Sequence, residues 1–175
     1  MADGAVLVSR AVLVRPATDA DNGAIAAIWN HEVTAGTATT DTEPRDAVAQ
    51  RAWLAGHGAG HPVLVAAHGG DVVGYGCLSP YRPKPAFRHT VEYSVYVDRR
   101  HRGRGVGGAI LKRLLAMAAE HGHHSVLARI TSGNEASLRL HERHGFRVIG
   151  GEREVAFKHG QWLDVTVMQR MVQIE

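Results

Sequence analysis

The stretch RRHRGRGVGG, residues 99–108, limits what this chain can be more than any other. The strongly β-forming run TVEYSVYVD leads into it. A helical pattern leaves it, with Ile110, Leu111, Leu114, Leu115 and Ala118 on one face. A strand that feeds a helix through a basic, glycine-rich turn is suited to an anion. The backbone N–H groups at the helix start are unpaired, and the helix dipole favours negative charge there. Two registers fit the glycines. Read from Gly103, the turn is G-x-G-x-x-G, with Gly103, Gly105 and Gly108 in place; read from Arg102, it is R-x-x-G-x-G.

The dinucleotide fingerprint demands that the glycines follow a strand at once and that an acid lies about 20 residues on. Here DRRHR intervenes, and LARIT occupies the distance where the acid is needed. The P-loop pattern G-x-x-x-x-G-K-[ST] is absent as well. The second register remains. It makes Arg102, Gly103, Arg104, Gly105, Val106, Gly107 and Gly108 the candidate anion grip, with Gly105 and Gly107 leaving room for a pyrophosphate against the backbone.

The rest of the chain reads as one mixed α/β domain spanning residues 1–175, in the order β-α-α-β-β-β-α-β-α-β-β. AVLVRPAT is a short strand closed by Pro16. Thr18 and Asp21 resemble a capping box ahead of a helix bearing Ile25, Ile28 and Trp29. The threonine-rich TAGTATTDTEP is loop or edge, and RDAVAQRAWLAGHG is a second helix stopped by glycines. Two apolar runs flank HGGD as a hairpin, and two more flank HG near the C-terminus. RPKPAF, with its two prolines, is expected to be irregular. NEASLRLHERHGF is a helix with Asn134 as N-cap and Gly145 as its stop.

With 45% hydrophobic and 21% charged residues, the composition is that of a soluble globular protein, and no apolar run reaches the length of a membrane span. The N-terminal MADGAVLVSRAVLVRP does not read as a signal peptide. A single cysteine, Cys77, cannot close an internal disulfide, so a reducing cytoplasm is expected, with Cys77 as buried filler rather than a thiolate nucleophile. A formal charge of +3 suits a small anion and is too weak to argue for nucleic acid. Twelve histidines include HGHH at 121–124, but without an H-E-x-x-H pattern or a cysteine partner no metal is expected.

VEYSVYVDRRHRGRGVGGAILKRLL is similar to the acetyl-CoA site of the GNAT superfamily of N-acetyltransferases. VRPATDADNGAIAAIWNHEV resembles that superfamily's opening strand and helix, and NEASLRLHERHGF its later CoA-contacting helix. A closer resemblance is to the phosphinothricin and methionine sulfoximine or sulfone acetyltransferases, carried by WNHEV, TEP, YRPKPAFRHTVEYSVYV and FKHGQWLDV. The resemblance implies a GNAT-like acyl-CoA N-acyltransferase fold: a central mixed, mostly antiparallel sheet flanked by helices. It also implies acetyl-CoA as co-substrate, a small amino-acid acceptor and a homodimer.

Under that reading Val95, Tyr96 and Val97 line the pantetheine arm, and Asn134 contacts CoA. Glu92 is the first candidate for general base. It interrupts an apolar strand, where a carboxylate is costly unless it has a partner or a task; the bland alternative is an edge carboxylate facing solvent. Alternation sends Val91, Tyr93, Val95 and Val97 one way and Thr90, Glu92, Ser94 and Tyr96 the other. His141 is the second candidate, as a neutral-pH titrator at the position where many members of the superfamily carry a tyrosine. The segment YRPKPAFRHT offers Arg82, Phe87, Arg88 and Thr90 to the acceptor, the arginines gripping carboxylate or phosphinate oxygens. Trp29, Asn30 and FKHGQW are further pocket walls. Two other classes use the same loop: a protein N-terminal or lysine acetyltransferase, and a non-catalytic acyl-CoA-binding module.

Overall fold

A computed structural model describes residues 12–172, and the signal-peptide reading of the N-terminus falls largely outside them. Strand β1 is Leu13–Pro16; helices α1, Asn22–Ala35, and α2, Ala47–Ala55, follow. Next come β2, Val63–His68; β3, Asp71–Pro80; and β4, Thr90–Val97. Helix α3, Val106–Glu120, leads to β5, Ser125–Thr131; α4, Glu135–Arg143, leads to β6, Arg147–Lys158, and β7, Gln161–Met171. The element order is the one the sequence patterns predict.

Local signals act where expected, with two refinements. Thr18 and Asp21 open a short 3-10 turn, Asp19–Asp21, rather than α1 itself, and the Asp21 carboxylate also takes two 2.8 Å bonds from the Arg15 guanidinium. RPKPAF is not wholly irregular: Pro85–Phe87 is one 3-10 turn. Pro85 starts that turn, at a position where its missing N–H is not needed. Asn134 caps α4 by accepting from the Ser137 N–H at 3.2 Å.

Among the described residues, the seven strands join one sheet, in the order β1-β2-β3-β4-β5-β7-β6. The pairs β2–β3, β3–β4 and β6–β7 are antiparallel and join strands close in sequence, and β1–β2 and β5–β7 are antiparallel pairs of strands farther apart in sequence. Among the described strands only β4 and β5 run parallel, because α3 carries the chain across between them. Each face of the sheet buries its own core. On one face α3 sets Ile110, Leu111 and Leu114 against Val91, Tyr93 and Met168. On the other, Ile25, Ile28 and Trp29 of α1 cover Val65, Tyr75 and Cys77. The alternation of β4 divides these cores, with Val91 and Tyr93 facing α3 and Tyr96 facing α1.

Two features of the sheet shape the site. Strands β4 and β5 pair only from Thr90 to Tyr93 against Ser125 to Ala128, and then part. The Asp98 N–H donates to Val73 O, on the β3 side, at 2.9 Å. Alternation therefore turns the backbone groups of Val95 and Val97 toward the gap beside β5. At the far edge, β6 and β7 leave Val148, Ile149, Phe157, Trp162 and Met171 exposed.

Candidate active site

A cavity of about 360 Å³ lies between α1, the segment joining α1 to α2, and the middle of the sheet. Its floor is β3 and β4: Cys77 and Ser79 on one strand, Glu92, Ser94 and Tyr96 on the other. These residues face each other in register, Cys77 with Ser94 and Ser79 with Glu92. Trp29 and Arg45 wall the helical side, and Arg129 and Val165 the β5–β7 side. The strand that floors this cavity is the one whose outer edge opens on the β4–β5 gap.

Glu92 is half-buried, and its removal from water pushes its pKa up. The nearby Arg129 guanidinium opposes that rise, and the Glu152 carboxylate adds to it. Arg129 pairs with Glu152 across the strands, so Glu92 senses a pair rather than a free cation. Cys77 also lines the cavity, but burial pushes its thiol up to about 11, which keeps it protonated at neutral pH. Tyr75 and Tyr96, stacked with centroids 5.5 Å apart, are likewise held as phenols by burial.

The glycine-rich loop stands where β4 ends. Gly103 and Gly105 adopt φ of 73° and 80°, the left-handed region that favours glycine, and Gly105 is the N-cap of α3. Nothing lies within 4 Å of where a Cβ would be at either position, so this side of the loop is open. Gly107 and Gly108 also meet a packing need. A Cβ at Gly107 would sit 3.3 Å from Leu140, and one at Gly108 3.3 Å from His144, so both let α4 approach α3. Arg102 does not stand free. It donates to Val97 O at 3.2 Å and pairs with the buried Glu32 carboxylate of α1. Arg104 is exposed, and Val106 packs into the core.

His141 is 2% exposed and lies away from the cavity lining. Its ring packs edge-on against Tyr93, 5.4 Å between centroids, and against Phe146 at 5.0 Å. Tyr93 leaves β4 on the face opposite Glu92. His141 Nδ1–H donates to Ser137 O at 2.7 Å, which leaves Nε2 as an acceptor, buried and without a partner among the described residues. Burial pushes this imidazole down, so the ring is neutral.

The loop between β3 and β4 extends beyond the end of the cavity marked by Ser79 and Glu92. Arg82 lies over the Tyr81 ring at 4.9 Å and the Phe87 ring at 5.7 Å. Arg82, Phe87, Arg88 and Thr90 are not among the lining residues. Residues that sequence reading passed over do line it: Arg45, Trp53, Tyr75 and Arg129. A second cavity, about 660 Å³, opens between α1 and the residues after β4, near His31, Asp98 and Arg99. It shares no lining residue with the first and does not reach Glu92.

Comparison with known proteins agrees with this fold. Residues 25–146 match the acetyltransferase (GNAT) family. An L-methionine sulfoximine/L-methionine sulfone acetyltransferase of Pseudomonas paraeruginosa is 42% identical over 158 residues, 89% of this chain and 92% of that protein. A phosphinothricin N-acetyltransferase of Streptomyces coelicolor is 39% identical over 91% of this chain and 95% of its own length. An acetyltransferase from Salmonella typhimurium, solved with its cofactor acetyl-CoA, superposes with a TM-score of 0.90 at 39% identity, covering 94% of this chain and 95% of that one. Strand pairing that fails between β4 and β5, an open left-handed loop at the start of α3, and similarity along most of the chain lead to one conclusion: the chain belongs to the GNAT family of acetyltransferases.

Proposed function

We propose that this enzyme transfers the acetyl group of acetyl-CoA to the amino group of a small amino acid of the phosphinothricin, methionine sulfoximine or methionine sulfone type. The observation that carries the reading is Glu92, a half-buried carboxylate on the floor of a cavity sized for such a molecule, on the strand that borders the β4–β5 gap. The relatives' acceptors point to the same class.

The residues divide the work. The N–H groups at the start of α3, with Arg102 to Gly108 around them, hold the CoA pyrophosphate, and Asn134 borders it. The backbone of Val95, Tyr96 and Val97 pairs with the pantetheine arm and aims an N–H at the thioester oxygen, where negative charge develops. Glu92 takes the proton of the acceptor ammonium, directly or through one water, leaving an amine that can attack. His141, neutral with Nε2 unprotonated, accepts a proton before it can pass one toward sulfur. Arg82, Phe87, Arg88 and Thr90 close the mouth, with the arginines on phosphinyl or sulfonyl oxygens. A second copy covers the apolar strip of β6 and β7, making a homodimer. The lone, protonated Cys77 suits a reducing cytoplasm, where the enzyme disarms a toxic analogue or consumes an oxidised methionine.

The test is release of CoA thiol from acetyl-CoA with phosphinothricin, methionine sulfoximine, methionine sulfone and a short peptide amine side by side. Release with an amino acid and none with the peptide supports the reading. Release with the peptide alone overturns the acceptor class, and silence with all four overturns the reading as stated.

Glu92 works only when deprotonated, so kcat/KM rises with pH through its pKa. Arg129 holds that pKa down. Arg129→Met removes the cation and leaves the Glu152 carboxylate in place, so the acidic limb of the pH–rate profile is expected to move to higher pH. A limb that stays fixed or moves down would show that another group is the base.

A further inference from the structure

We propose that Arg45 holds the carboxylate of the acceptor amino acid. The proposal rests on reading the Glu92 cavity as the acceptor site. Arg45 stands in the segment between α1 and α2 and lines that cavity. The fold fixes it from several directions. Its backbone N–H donates to Asn30 Oδ1 at 2.8 Å, and its C=O accepts from Asn30 Nδ2 at 2.8 Å. Its guanidinium carbon lies 4.3 Å from the Trp29 ring centre and 4.5 Å from that of Trp53. Nη1 reaches Gln50 Oε1 at a long 3.4 Å.

What this scaffolding lacks is an anion. Among the described residues no carboxylate pairs with Arg45, whereas the other arginine of the cavity, Arg129, is matched by Glu152. Arg45 is half-buried, and a cation partly removed from water needs compensation, of which aromatic rings supply a share. Rings act on the faces of a guanidinium; its N–H donors project in the plane, and those not spent on Gln50 and Tyr75 remain for a carboxylate. The cavity thus presents two carboxylates, Asp41 near its exposed rim and Glu92 on its floor, and a separate cation, Arg45, that is paired with neither. Glu92 with Arg45 is complementary to a zwitterion: the ammonium goes to Glu92 and the carboxylate to Arg45. A peptide amine, a lysine side chain or a simple alkylamine carries no carboxylate at that distance from its nitrogen. Arg45 therefore sets the acceptor class as free α-amino acids.

The experiment compares methionine sulfone with its decarboxylated counterpart, 3-(methylsulfonyl)propan-1-amine, in the wild type, Arg45→Gln and Arg45→Lys. Losing a charge-assisted contact raises KM for methionine sulfone about 10- to 100-fold in Arg45→Gln. The KM for the amine and for acetyl-CoA is expected to stay unchanged, and Arg45→Lys to fall between. Equal loss on both acceptors, or no loss on methionine sulfone, overturns the proposal. If Arg45→Gln does not fold, the wild type decides alone: a preference for the amino acid over the amine supports the proposal, and equal KM values overturn it. A wild type that acetylates no free amino acid fails the functional reading itself. A wild type that does so, with Arg45→Gln unaltered, fails only the role of Arg45.

Discussion

Glu92→Gln is expected to lower kcat by about 10²- to 10⁴-fold, the usual contribution of a positioned proton acceptor. The substitution keeps the size and one hydrogen-bonding oxygen of the side chain and removes only the basic site. The gap beside Val95 and Val97 presents backbone, not the Glu92 side chain, so the Kd for acetyl-CoA by calorimetry is expected to stay within about twofold. Turnover within a few-fold of wild type would mean that the proton leaves by another route. Loss of acetyl-CoA affinity together with turnover would mean that Glu92 shapes the gap instead of serving the acceptor.

Gly76→Ala is expected to destabilise the fold by about 1–3 kcal/mol, the range for overpacking a well-filled core. A Cβ there would meet Ile110 at 2.7 Å, Ser94 O at 2.8 Å and Leu114 at 3.1 Å. Two of these contacts are side-chain ends on α3, but Ser94 O is backbone of β4. The clash is relieved only by moving the strand that floors the cavity. A thermal melt is expected to show Tm lower by about 2–12 °C, taking about 2–4 °C per kcal/mol for a chain of this size. An unchanged Tm would mean that β3, β4 and α3 are packed more loosely than these distances imply.

The fold was legible because its patterns are local. The alternation in TVEYSVYV and the helical spacing after Val106 each survive into the structure, and both need only neighbours in sequence. Glu92 was legible for the same reason, as a charge out of place in an apolar strand. Arg45 was not. It follows a polar threonine-rich stretch, and its meaning depends on Trp29 and Trp53, which two different helices bring to it. Arg82 and Arg88 show the opposite case. They are close to Glu92 in sequence, but they belong to the bent loop around the 3-10 turn Pro85–Phe87, outside the lining of the cavity. For His141, spacing identified the helix, but only tertiary packing set the ring against Tyr93 and left Nε2 without a partner among the described residues.

The arginines that first drew attention carry less free charge than their number implies. Of Arg99, Arg100, Arg102 and Arg104, Arg100 faces Asp98 and Arg102 faces Glu32. Half of the apparent basic cluster is neutralised within the fold. The remaining field is short-ranged and is screened within about 8–10 Å at ordinary ionic strength. Under the proposed reading, an incoming polyanion is thus captured by oriented amides at contact distance and is only weakly drawn in from afar. Its arrival rate depends correspondingly little on salt.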